Sequence, residues 1–334
     1  MARKAMRRPI GSAVIGYGMG KNHATYMNAQ ADIELRAVCD LDEARRAAAK
    51  ADFPHIDTCA SMAQLLKRDD IDLVAVVTPH NMHCKHVCQC LRAGKHTVVD
   101  KPMCITTREA TRMIDQAKTS QRMFTVFQNR RLDGDYLAIR DAVDQGLIGE
   151  VFQIECFAGG YSRPTVRWRS EKKISGGAMY DWGAHFIDWI LGLVPAKISH
   201  VSGYFHKLVW DHVTNEDQGR AIIQFANGAV GDFTLSSIDM AGKERWRVLG
   251  TQGAITIGAN NTLRVRTLVK GHQAELSMPF QPSRWPDYYA NIADHLLRGK
   301  PLLVRPEESR RVIGVLEAAA KSAKTGCAVP VACE

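Results

Sequence analysis

The sequence predicts an α/β chain in two parts, a doubly wound parallel sheet followed by an α+β domain with an open, mainly antiparallel sheet. Three observations carry that prediction. From Ile10 to Gln128 one unit recurs: a short β-branched run, a turn, then an amphipathic stretch with helical spacing. Three glycines stand at the end of the first such run. After Asn129 the texture changes to longer runs in which apolar and polar residues alternate. A length of 334 residues suits two domains, and 46% hydrophobic with 24% charged residues is ordinary globular composition.

The strand candidates of the first part are SAVIG, IELRAVCD, HIDTC, DLVAVVT, HTVVD and MFTVFQ. Several are apolar almost throughout, as parallel strands covered on both faces must be. Right-handed crossovers then wind helices over both sides. The second part opens with a helix, DGDYLAIRDAVDQG, that ends at Gly146 and leads into the strand VFQIECFAGG. GGAMYDWGAHFIDWILGL reads as a helix entered through Gly176 and Gly177. HVSGYFHKLVW, RAIIQFANGAVGDFTLSS and RWRVLGTQGAITIG read as antiparallel strands, with Asn227 and Gly228 marking a hairpin. The boundary falls between 128 and 129, giving domains 1–128 and 129–334.

Composition excludes several classes. The longest apolar stretch, Leu73 to Val77, is far short of the about 18 residues a membrane span needs. The basic start runs into a strand without the apolar core and cleavage site of a secretory signal. Nine scattered cysteines read as free thiols in a reducing compartment, which places the protein in the cytoplasm. The net charge of +9 is concentrated: Arg3, Lys4, Arg7 and Arg8 hold four, and Arg163, Arg167, Arg169, Lys172 and Lys173 less Glu171 hold four more. A nucleic-acid surface would be broader, and a membrane partner is equally unexpected. The second stretch, just before the helix entered through Gly176, reads as a solvated loop, with preference for an anionic ligand as its alternative.

Gly16, Gly18 and Gly20 in VIGYGMGKNHA lie where a strand gives way to a helix, where bare backbone can approach a pyrophosphate. The run departs from GxGxxG: either Lys21 replaces the third glycine, or the loop is one residue shorter and Gly20 serves. Asp40 ends the second strand near the spacing at which an acid takes the ribose hydroxyls of NAD and repels the 2′-phosphate of NADP. Its alternative is the N-cap of the helix starting near Glu43. Thr78 and Pro79 end the fourth strand at the sheet edge where such folds bind ligands, with His83 just beyond them. Lys101 ends the fifth, placed to stabilise an alkoxide, or else is a loop lysine paired with Asp100. Asp181 and His185 stand one helical turn apart, so a carboxylate could orient a proton-transferring imidazole; Asp188 is the other candidate partner. His80, His83, Cys84, His86, Cys88 and Cys90 resemble a metal site in composition, but on a helix they fan around the axis, so no metal is expected.

Assembled in order, the glycine turn, Asp40, TPHNMH, DKP, FQNRRLDGD, WRSEKKISGGAMYDWGAHFID, FANGAVGDF, VLGTQGAITI and RPEESRRVIGVLEAAAKSAKTG resemble the Gfo/Idh/MocA oxidoreductases over nearly the whole chain. The resemblance implies an N-terminal Rossmann domain, a C-terminal α/β domain whose open sheet forms homodimers or homotetramers, and an NAD-dependent reaction on a small sugar or polyol. In the family's EKP motif the lysine is catalytic, which assigns that role to Lys101, with a cis peptide before Pro102; Asp100 is a departure. The DxxxH pair implies substrate binding by Asp181 and acid/base work by His185. FQNRR places Arg130 near the substrate, and Trp168 resembles the tryptophan beside the nicotinamide. Two further classes share these features, a glycosidase or lyase that oxidises its sugar transiently on tightly held NAD, and a dinucleotide sensor without turnover.

Overall fold

The computed structural model describes residues 9–332 and 334; the basic cluster at 3–8 and Cys333 lie outside them. The chain divides into two compact units, the first comprising 1–104, 108–128 and 285–309, the second 105–107, 129–284 and 310–334. The segment 285–309 thus returns to the first unit, whereas a single sequence cut assigns it to the second.

The first unit holds β1 (Ile10–Ile15), α1 (Tyr17–Asn28), β2 (Ile33–Cys39), α2 (Glu43–Asp52), β3 (Asp57–Cys59), α3 (Met62–Leu66), β4 (Leu73–Val76), α4 (His83–Arg92), β5 (His96–Val99), α5 (Thr107–Ser120) and β6 (Phe124–Val126). All six strands coincide with sequence candidates. They pair in parallel in the order β3-β2-β1-β4-β5-β6. The order reverses at β1 and β4, the switch point beside which a doubly wound sheet opens a crevice. β1 and β4 are buried at every position, so their apolar runs are the signature of a sheet covered on both faces.

The second unit opens with α6 (Gly134–Asp144) and β7 (Val151–Gly159), followed by α7 (Lys172–Ser175) and α8 (Ala178–Leu193). Next come β8 (Ile198–His206), β9 (Gln218–Phe225), β10 (Val230–Ser236), β11 (Trp246–Gly250), β12 (Gly253–Ile257), β13 (Thr262–Val269) and β14 (His272–Pro279). They form one eight-stranded sheet in the order β14-β13-β12-β11-β7-β10-β9-β8, antiparallel except for the β7–β10 pair. Asn227 and Gly228 turn the β9–β10 hairpin as expected. β13 and β14 form a further hairpin that the sequence reading does not name.

α8 lies on β7, β9 and β10. Its Phe186 stacks on Phe233 at 4.8 Å, and Trp189 meets Trp246 at 5.2 Å. The polar ends of these aromatics are satisfied: Trp189 Nε1 donates to the Arg130 carbonyl at 2.8 Å and Trp246 Nε1 to Asp135 at 3.0 Å. Large rings with satisfied N–H groups bury much apolar area and fix orientation, which makes α8 a rigid base for the side chains on its outer turns.

Candidate active site

In the first unit the glycine turn is tighter than a standard dinucleotide loop. Gly16 has φ +92°, and a Cβ there would stand 2.1 Å from the Val77 carbonyl oxygen, so α1 can begin at Tyr17 only with glycine before it. Gly20 packs on the sheet, where a Cβ would come within 2.7 Å of Val14 Cγ1, which is the close helix–strand contact the third glycine provides. Lys21 points elsewhere, to Asp52 at 2.8 Å. The loop is therefore one residue shorter, and Gly20 serves. Gly18 is exposed at the N-terminus of a helix with no acidic residue in its first turn, a surface suited to a pyrophosphate.

The Asp40 side chain is only 7% exposed. Its Oδ2 accepts the Tyr17 amide at 2.7 Å and its Oδ1 the Asp42 amide at 2.9 Å. Each oxygen retains a second lone pair for a ribose hydroxyl. The N-cap alternative belongs to Asp42, which accepts the Ala44 amide at 2.9 Å. Two arginines beyond the motif come close. Arg46 is committed to the Asp40 and Leu41 carbonyls, while Arg45 stands 3.7 Å from both the Asp40 and Asp42 carboxylates.

At the ends of β4 and β5, Thr78 and Pro79 are half-buried and Lys101 is half-buried before a cis peptide to Pro102. His83 is a correction to its expected place at the cofactor. It is completely buried between the two strand ends, with Nε2 2.7 Å from the Thr78 carbonyl and Nδ1 2.9 Å from that of Pro102, and as a neutral imidazole it donates to one of them. Burial pushes its imidazole below the ordinary range, against the opposing pull of Asp100 and these carbonyls. Elsewhere in the His/Cys run, His86 meets Thr78 Oγ1 at 3.1 Å, and Cys84 lies 3.7 Å from the Glu109 carbonyl. Among the described residues no three His, Cys, Asp or Glu side chains are grouped to hold a metal.

Asp100, the departure from the family motif, faces His23 Nε2 at 3.6 Å. His23 Nδ1 in turn lies 2.6 Å from Tyr289 Oη. Burial and nearby Tyr288 and Asp100 raise the Tyr289 phenol well above its usual range, so it stays protonated beside His23. Burial alone would raise the Asp100 carboxyl, but His23, Lys101 and His83 together hold it at about 2.

In the second unit, Glu216 accepts the Met179 amide at 2.9 Å and thereby caps α8. Asp181 and Trp182, on the first turns of α8, line a cavity of about 790 Å³ with Phe186, Asn215, Glu216 and Asp217. Arg167, Arg169, Lys243 and Arg245 contribute the cations of its wall. His185 follows one turn after Asp181, buried at 4% exposure between the rings of Trp182 and Trp189. The alternative partner Asp188 is committed to Arg131, accepting at 2.7 and 2.6 Å on its two oxygens. Arg130 pairs with Asp133 at 2.8 Å and lies over the Trp182 ring, 5.0 Å from its centre. Trp168 carries the Arg169 guanidinium on its face at 4.3 Å.

A family model described as the oxidoreductase family, NAD-binding Rossmann fold, matches residues 10–128, and the GFO/IDH/MocA C-terminal domain matches residues 136–256. The chain belongs to the GFO/IDH/MocA family. Within the family it is 25% identical to the scyllo-inositol 2-dehydrogenase (NADP(+)) IolW of Bacillus subtilis, over 93% of both chains. It is 26% identical to the D-glucoside 3-dehydrogenase of Escherichia coli, over 96% of this chain and 97% of that one. A solved NAD-binding protein from Listeria innocua superposes with a TM-score of 0.88 at 28% identity, covering 97% of each chain. This GFO/IDH/MocA protein is thus an NAD-dependent oxidoreductase, and its glycine turn and Asp40 have a geometry that could hold the dinucleotide. The sequence reading did not name His23, Tyr289, Trp182 or Arg245. His23 alone left a local signal, following the glycine turn in KNHA; the others depend on distant segments.

Proposed function

We propose that the enzyme interconverts a secondary alcohol and a ketone on a sugar, glycoside or cyclic polyol, with Lys101 and His185 assisting. The observation that carries this reading is the second unit's cavity, where aromatic faces from Trp182 and Phe186 stand beside carboxylates, amides and guanidiniums. A polyhydroxylated ring presents that same mixture of C–H faces and hydroxyls, and the volume suits a small molecule. The names of the relatives, an inositol and a glucoside dehydrogenase, support the same substrate class.

In the proposed step the alcohol's O–H proton passes to His185, its carbon loses hydride, and the C–O bond becomes a carbonyl. NAD, when bound, supplies the acceptor for that hydride. Lys101 stabilises the oxygen while it carries negative charge, and Asp181 binds a substrate hydroxyl and orients His185. Thr78, Pro79 and Trp168 belong beside the cofactor in this reading, and Arg130 beside the substrate. The test is a panel of inositols, hexoses, uronates and glycosides with NAD and with NADP. We expect NADH from at least one secondary alcohol, and NAD binding about tenfold or more tighter than NADP by calorimetry, about 1.4 kcal/mol. Equal NADP binding would remove Asp40 from its role and assign the 2′-phosphate to Arg45. Aglycone release without net NADH would instead mark the transient-oxidation class.

The same reading includes a homodimer or homotetramer. One face of the eight-stranded sheet receives α8, and the other bears ion-pair rungs, Arg220 with Asp232 at 3.0 Å, Arg247 with Glu155, and Arg266 with Glu275 at 3.0 Å. Tyr204 stands exposed on that outer face. Light scattering at micromolar concentration should give at least twice the mass of one chain, and a monomer would remove this part of the proposal. We also place the protein in the cytoplasm: the eight described cysteines are free thiols. Among the described residues no helix is long and apolar enough to cross a membrane.

A further inference from the structure

The basic stretch from Arg163 to Lys173 does not act as one surface. Lys172 turns to Glu216 at 3.1 Å, Lys173 is exposed, and Arg163 Nε lies 3.5 Å from His212. Arg167 and Arg169 instead line the cavity that also holds Asp181.

Most charges in that cavity are already balanced. Glu216, 4% exposed, is taken by the Met179 amide and Lys172. Asp217, 1% exposed, accepts the Leu208 and Val209 amides at 2.6 and 2.7 Å and the Lys207 ammonium at 2.9 Å. Burial would raise the Asp217 carboxyl, yet these donors hold it at about 2, so it stays ionised and engaged. Arg245 stands 3.4 Å from Asp135 and 3.6 Å from Asp133, and Lys243 lies 3.9 Å from Glu155. Arg167 and Arg169 differ: among the described residues neither has a carboxylate partner. Arg167 Nε donates to Thr165 Oγ1 at 2.7 Å, and Arg169 rests on the Trp168 ring.

Their backbone is fastened from behind. The buried Asn215 donates Nδ2 to the Arg169 carbonyl at 2.7 Å and accepts from Ser175 Oγ at 3.2 Å. Ser170 donates its amide to the Arg167 carbonyl at 2.9 Å and its hydroxyl to the Thr165 carbonyl. The Thr214 amide reaches the Ser170 carbonyl at 3.1 Å. A solvated loop has no need of such fastening. Two planar guanidiniums held on a cavity wall without counter-charge suit a bidentate anion.

We propose that the substrate carries an anionic group, the carboxylate of an acidic sugar or the phosphate of a sugar phosphate, bound by Arg169 together with Arg167. This rests on the reading of the same cavity as the substrate site. The experiment is calorimetry on the full chain loaded with NADH, using glucose, glucuronate and glucose 6-phosphate, and galactose with galacturonate, alongside turnover of the same sugars with NAD. At least one anionic sugar should bind about tenfold or more tighter than its neutral counterpart, with carboxylate and phosphate separated by the arms. Added salt should narrow that gap. Arg169→Gln should reduce the anionic-to-neutral ratio about tenfold, Arg169→Lys should keep part of it, and Arg163→Gln, outside the cavity, should not move it. Anionic sugars binding no better than neutral ones overturn the proposal, as does failure of every sugar to bind. The wild-type ratio and its salt dependence decide the matter even if a variant fails to fold. Tight binding of an anionic sugar without oxidation would leave the anion site standing and remove the dehydrogenase reading. Oxidation of neutral sugars with no anionic preference would do the reverse.

Discussion

Replacing His185 with alanine is expected to lower turnover by about 10²–10⁴-fold, the range for removing a positioned general base. NAD should still bind, because the glycine turn and Asp40 are untouched. The pH profile separates loss of a base from mere disturbance of α8. With His185 present, activity falls on the acidic side as the imidazole takes up a proton and can no longer accept one from the substrate. Without it that limb should flatten. His185 is buried between Trp182 and Trp189, so alanine also opens a void in the packing. His185→Gln keeps most of the volume, and should lose comparable activity with a smaller fall in melting temperature. Asp181→Asn should act as a milder version, or raise KM alone if Asp181 chiefly binds substrate. A folded His185→Ala protein that binds NAD and keeps more than about a tenth of wild-type turnover, a loss under about 1.4 kcal/mol, would remove His185 from the role of base.

What could be read from the sequence follows the range over which each signal acts. The centre of the parallel sheet announces itself locally because β1 and β4 are buried at every position, and the glycine turn does so because Gly16 must adopt φ +92° against Val77. β13, TLRVRTLV, does alternate, with Leu263 and Val265 buried and Arg264 and Arg266 exposed, but its partner carries no such mark. β14, HQAELSMP, is exposed or half-exposed along its whole length, so little apolar alternation marks it. Nor does any pattern show that residues 285–309 return to the first unit, where Tyr289 meets His23. The site divides in the same way. Asp181 and His185 share a helix, and their spacing brings them to one neighbourhood. His83 has the residue type of a ligand contact, but only the fold reveals that the Thr78 and Pro102 carbonyls occupy both ring nitrogens. The charges of the stretch from Arg163 to Lys173 are countable in sequence, but which of them meet Glu216 and which line a cavity depends on segments more than forty residues away.

Lys101→Met should lower turnover by about 10²–10³-fold, because it keeps much of the side chain's length and removes the cation that would face a developing alkoxide. The position of Lys101 is set by its neighbours. Asp100 precedes it and is engaged by His23, which Tyr289 orients through a 2.6 Å hydrogen bond, and the Pro102 carbonyl is held by His83. Methionine therefore enters a backbone whose course is fixed by other residues, and the expected loss is in turnover, with NAD affinity retained by calorimetry. Lys101→Arg restores the charge without the compact ammonium geometry and should recover only part of the rate. If Lys101 were merely a loop lysine paired with Asp100, the methionine variant would keep nearly full activity. Retention of more than about a tenth of wild-type turnover would settle that against a catalytic role. Combining Lys101→Met with His185→Ala supplies the sharper result. If both groups serve the same proton and charge movement, the double loss should be smaller than the product of the single losses, because a step already deprived of its base has less negative charge on oxygen for the lysine to stabilise. Independent roles, such as Lys101 acting only on cofactor affinity, would make the two losses multiply.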